Sequence, residues 1–109
     1  MKIKKELIGQ WTPIHIAVIG CEPSTHLTHG VIFTLSSHPD TYFFHHEYMG
    51  TYKISELSTG YEVYANEINC EQEEFMKEFE AFIAGKDLKK AMDKAKSTIV
   101  EIYPVNEIV

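Results

Sequence analysis

The spacing of hydrophobic and polar positions along this chain changes near Asn69, from β-like runs to a helical period. Upstream, Ile14-His15-Ile16-Ala17-Val18-Ile19 is a β-branched run closed by Gly20, and Val31-Ile32-Phe33-Thr34-Leu35 follows Gly30 in the same style. Both predict strands, because branched and aromatic side chains pack well on a pleated surface. The segment Ser36-Ser37-His38-Pro39-Asp40 is rich in turn formers, and the aromatic run Thr41-Tyr42-Phe43-Phe44-His45-His46 follows at once, as in a hairpin. A second hairpin follows Gly50: Tyr52 to Leu57 and Tyr61 to Ile68 flank Ser58-Thr59-Gly60, whose glycine supplies the positive φ of a bulged turn.

Downstream, Phe75, Phe79, Phe82 and Ile83 recur at i, i+4, i+7 and i+8, the spacing of one helix face. Asn69 with Gln72 resembles a capping box at the start of this helix, and Gly85 is placed to end it in the left-handed conformation. A second helix is expected from Asp87, with Leu88, Ala91, Met92, Ala95 and Ile99 on its apolar side. The run Ile99-Val100-Glu101-Ile102-Tyr103 before Pro104 fits either the last helical turn or a further strand. These elements predict one α+β domain over residues 1–109, an antiparallel, meander-like sheet of four to five strands followed by two C-terminal helices packed on one face.

Composition narrows the function classes. The chain has no arginine among its ten basic residues, sixteen acidic residues and a formal net charge of −6. Without guanidinium forks or a basic footprint, no nucleic acid is expected as a ligand. No stretch has the ~18 unbroken apolar residues that span a bilayer, so no membrane partner is expected either. Cys21 and Cys70 are too few for a disulfide framework, and with no export signal at the N-terminus they point to the cytoplasm. The two helical segments segregate charge, with five glutamates against Lys77 from Cys70 to Ala84 and five lysines against two aspartates from Lys86 to Ser97. Solvated helix faces account for this, since exposed ion pairs contribute under about 1 kcal/mol each.

Candidate chemistry begins with six histidines, all upstream of residue 47. Cys21, Glu22, His26 and His29 surround the expected loop between the first two strands and have the donor types zinc prefers, but Cys-x4-His-x2-His is not a compact zinc spacing. His45 and His46 are neighbours on a strand, so their side chains leave opposite faces. Phosphate loops, CxxC pairs and nucleophile elbows are absent, and no catalytic residue, metal ligand or cofactor site is assigned. A small metal- or histidine-dependent enzyme with a site near the Cys21 to His29 loop stands as the alternative to a binding protein.

The aromatic run is the stronger signal. Alternation sends Tyr42, Phe44 and His46 to one face and Phe43, His45 and Glu47 to the other, so both faces carry large rings. If the helices cover one face, the other is either exposed or covered by the segment around Leu7, Ile8 and Trp11, and the sequence leaves both outcomes open. On the first outcome Phe43, His45, Tyr52 and Tyr64 form a partner-binding face for a protein partner or for self-association. In size, acidity and lysine-only basic set the chain is similar in general character to phage anti-defence proteins and bacterial immunity proteins. That likeness covers no motif, and it implies an inhibitor or adaptor that occupies a partner's surface.

Overall fold

The structure is a computed structural model and describes residues 2–18, 24–48, 50–67, 71–98 and 106–109. Its elements are β1 (Lys2–Ile3), a 3-10 turn (Lys5–Leu7), β2 (Trp11–Val18), β3 (Ser24–Leu35), β4 (His38–Tyr48), β5 (Thr51–Glu56), β6 (Glu62–Glu67), α1 (Gln72–Ile83), α2 (Leu88–Thr98) and β7 (Glu107–Ile108). Strands β2 to β6 pair antiparallel in chain order, and the two helices follow. The fold is therefore α+β with a five-stranded meander. Two short strands that the sequence does not predict, β1 and β7, pair in parallel as a separate small sheet.

Element boundaries differ from expectation at instructive places. Strands β2 and β3 begin at Trp11 and Ser24, three and seven residues earlier than Ile14 and Val31, so His26 and His29 lie on a strand and not in a loop. The first hairpin turns at Ser36 and Ser37 alone. Pro39 and Asp40 belong to β4, where the register slips between the pairs Thr34–Tyr42 and Leu35–His38 and a proline without an N–H is tolerated. In the second hairpin Gly60 takes φ +71° as its turn requires. The N-cap of α1 is Glu71, which makes no side-chain capping bond, and Asn69 lies outside the described residues. Gly85 follows α1 at φ +82°. Asp87 caps α2 by accepting from the Lys90 amide at 3.2 Å. Residues 99–103 lie outside the described residues.

The sheet has two apolar faces and each has a cover. Against Phe43 and Ile54, α1 sets Phe75, Phe79 and Ile83, the i, i+4, i+8 stripe; Phe33, Tyr52, Val63 and Tyr64 close the edges of this core. The rings of Phe43 and Phe79 meet edge to face at 5.2 Å. Burying each phenylalanine contributes about 2 to 3 kcal/mol. Phe82, expected on the same stripe, is 43% exposed and leans on the Tyr64 ring from the flank. On the opposite face Ile14, Ile16, Ile32 and Phe44 pack with Leu57 beneath Ile3, Leu7, Ile8 and Ile108. The N-terminal segment thus supplies the second cover, joined by β7, although Trp11 takes no part in it.

The sheet also curls so that its first strand meets its last hairpin. The Ala17 amide of β2 donates to the Gly60 carbonyl at 2.8 Å. Asn106, 3% exposed, donates from Nδ2 to the carbonyls of His15 (3.1 Å) and Leu57 (2.7 Å). Glu56 holds the hairpin in shape: one carboxylate oxygen accepts from the Ser58 amide and hydroxyl, the other from those of Thr59, at 2.5–3.0 Å. With Pro13 lacking an N–H, the outer edge of β2 retains few unpaired donors, which is how natural sheets blunt an edge.

Candidate functional site

The four residues expected to form a partner-binding face do not make an open one. Phe43 is fully buried and His45 nearly so, while Tyr52 and Tyr64 are half-buried. All four are the seat of α1: the Phe75 ring lies 5.3–5.5 Å from those of His45, Tyr52 and Tyr64, and Phe79 lies on Phe43. Alternation assigned the faces correctly, but with rings on both sides it did not say which face the helix takes. The helix takes the Phe43 face, and the expectation of exposure there is corrected.

An exposed face does exist, on the other half of the same side of the sheet. Directly paired residues share a face, and the pairs Trp11–Val31, Pro13–His29, His15–Leu27 and Ala17–Thr25 carry the helix-side face outward across β2 and β3. Val31 in turn pairs with His45, so this surface is continuous with the part that α1 covers. Helix α1 stops at the His45 line. Beyond it Trp11 is 69% exposed and Leu27 49%, His29 and Thr25 are exposed, and Pro13, His15, Ala17 and Val31 are half-buried. The Trp11 indole stacks on the His29 imidazole with 14° between the planes and 6.2 Å between centroids, which holds the indole in place without covering it.

Charge sets this surface apart. Asp, Glu and Lys make up 24% of the chain, yet none of these eight positions carries one. Elsewhere the exposed helix positions are crowded with acids and lysines. Sequence reasoning missed the face because it started β2 at Ile14 and β3 at Val31, which cut off Trp11, Pro13, Thr25, Leu27 and His29. The signal was present in the uncharged alternate positions Trp11, Pro13, His15 and Ala17 once the strand is extended by three residues.

His46, His45 and His38 serve packing. His46 is 2% exposed, stacks on Phe44 at 5.0 Å and shares a hydrogen bond between Nε2 and the Ser55 hydroxyl at 3.0 Å, and its Nδ1 has no partner among the described residues. Burial, then the nearby charges of His45, Lys53 and His26, push its pKa down to about 4. Burial also lowers that of His45, against a smaller opposing effect of Glu47. Gln72 of α1 is 3.3 Å from His45 Nδ1. His38 Nε2 donates to the Lys86 carbonyl at 3.1 Å and pins the linker between the helices to the first hairpin.

The alternative site near Cys21 fares differently in its parts. Cys21 and Glu22 lie outside the described residues. His26 and His29, three apart on β3, leave opposite faces of the sheet and do not converge. Among the described residues no group of three His, Cys, Asp or Glu side chains is gathered as a metal site, and no helix is long and apolar enough to cross a membrane. Compared with protein-family models, curated proteins and solved structures, the chain matches none.

Proposed function

We propose that this chain is a protein-binding module of inhibitor or adaptor type, acting in the cytoplasm, that holds its partner on the exposed face of β2 and β3. One observation carries this reading: a surface without Asp, Glu or Lys, centred on Trp11 and Leu27, lies open, whereas the other apolar sheet surfaces among the described residues are covered. Tryptophan presented by a rigid strand is the usual anchor of a protein interface, since it brings a large contact area with little rotamer entropy to lose. The partner surface that fits is apolar and uncharged, because a charge facing this patch loses its hydration and finds no counter-ion. The acidic net charge and missing arginine argue against a nucleic acid partner.

The test compares wild type with Trp11→Glu/Leu27→Glu and with a control, Ala81→Glu, on the exposed side of α1. Analytical ultracentrifugation reads self-association, and quantitative affinity capture from source-cell extract reads other partners. Wild type and Ala81→Glu retain the same assembly or captured protein, and the double variant, folded by circular dichroism, loses it. A strictly monomeric wild type whose captured proteins are the same with and without Trp11 and Leu27 refutes the proposal.

A further inference from the structure

We propose a second, separate site: the hollow between β6 and the two helices binds a small amphiphilic carboxylate, an aliphatic or aromatic acid of about ten heavy atoms if each takes ~30 Å³, the liquid volume share of a water molecule. The hollow measures about 290 Å³, at the small end of the range for ligand pockets. Its walls are mainly apolar, from Tyr61 and Val63 on the sheet side and Phe82, Ile83, Leu88 and Met92 on the helices. Such walls take a hydrocarbon chain or ring and leave its polar end at the mouth.

The charges at the mouth decide which polar end. Glu62 is held in an ion pair by Lys53, and Asp87 is engaged on the Lys90 amide at the start of α2. Lys86 differs from both. Its ammonium rests 5.0 Å from the centroid of the Phe82 ring, and among the described residues it has no carboxylate partner. Its backbone is fixed by the bond from His38 to its carbonyl, so the lysine stem starts from a determined place beside the apolar walls. A cation lying on an aromatic wall offers an anionic head group a counter-ion, which a neutral head group does not use and a cationic one is repelled by. The site shares no residue with the Trp11 face, so its test does not depend on that reading.

Octanoate, with ten heavy atoms, is the probe, and octanol and octylammonium are its neutral and cationic counterparts. Isothermal titration calorimetry of the full chain is expected to give a dissociation constant for octanoate of about 0.1 to 1 mM, weakened at least about fivefold in Lys86→Gln, with octanol affinity the same in both proteins. Ala91→Phe, at an exposed position of α2 bordering the hollow, fills the space and abolishes binding of both ligands. Lys86→Gln changes only an exposed side chain, so its result stands even if Ala91→Phe perturbs α2. The proposal is overturned by absence of octanoate binding at about 10 mM, by octanoate affinity unchanged in Lys86→Gln, or by octylammonium binding more tightly than octanoate.

Discussion

Acid should unfold this protein through His46. The imidazole is buried against Phe44, with one nitrogen bonded to Ser55 and the other without a partner among the described residues, and in the folded chain it takes up a proton only near pH 4. The unfolded chain takes it up near the ordinary value of 6.5. Between these values the unfolded state binds more protons, so stability is complete above about pH 6.5 and is lost as pH falls toward 4. The full difference corresponds to about 3 kcal/mol, and a drop from pH 7.5 to pH 5 removes about 2 kcal/mol of it. His45, lowered in the same direction, adds to the loss. The assay is urea unfolding followed by circular dichroism at both pH values, with His46→Gln as the comparison, because glutamine offers Ser55 a hydrogen bond but does not titrate. Wild type should lose about 2 kcal/mol more than the variant across that interval. If His46→Gln keeps the wild-type pH dependence, the buried neutral imidazole is not the origin of acid sensitivity.

Further expectations concern packing. Gly30 sits where β3 passes β4 so closely that a Cβ would lie 2.1 Å from the His45 carbonyl oxygen and 2.8 Å from the Phe44 ring, so Gly30→Ala should cost roughly 2 to 4 kcal/mol by forcing the strands apart, read as a lowered melting temperature. Phe79→Ala should cost roughly 3 to 5 kcal/mol by leaving a cavity under α1, whereas Phe82→Ala, at a half-open position, should cost under about 1.5 kcal/mol; equal losses in thermal unfolding would mean the two rings are equally buried. Asn106→Ala strips donors from the buried carbonyls of His15 and Leu57 and should cost about 2 to 3 kcal/mol in urea unfolding.

The meander and the helical stripe were legible because each rests on local spacing: Phe75, Phe79 and Ile83 mark one helix face whatever they pack against. Gly60 and Gly85 were legible because only a glycine takes those φ values without strain. What failed depended on contacts distant in sequence. Which aromatic face α1 would take is decided by the whole arrangement of covers, and the two-residue strands β1 and β7 exist only because segments more than a hundred residues apart pair. The candidate site was mislaid for a related reason. Polar Ser24 to His29 do not read as a strand, yet they are drawn into one by pairing with β2.

The closed curl of the sheet imposes an order on folding. Its fastenings join Ala17 to Gly60, His15 to Asn106 and Ile3 to Ile108, contacts that span roughly forty to a hundred residues and whose loop-closure entropy is lost before any of them forms. Hairpins β3–β4 and β5–β6, tied by short turns, are expected to form first. The inner cluster around Ile14, Ile16 and Phe44 stays wet until Asn106 and Ile108 arrive.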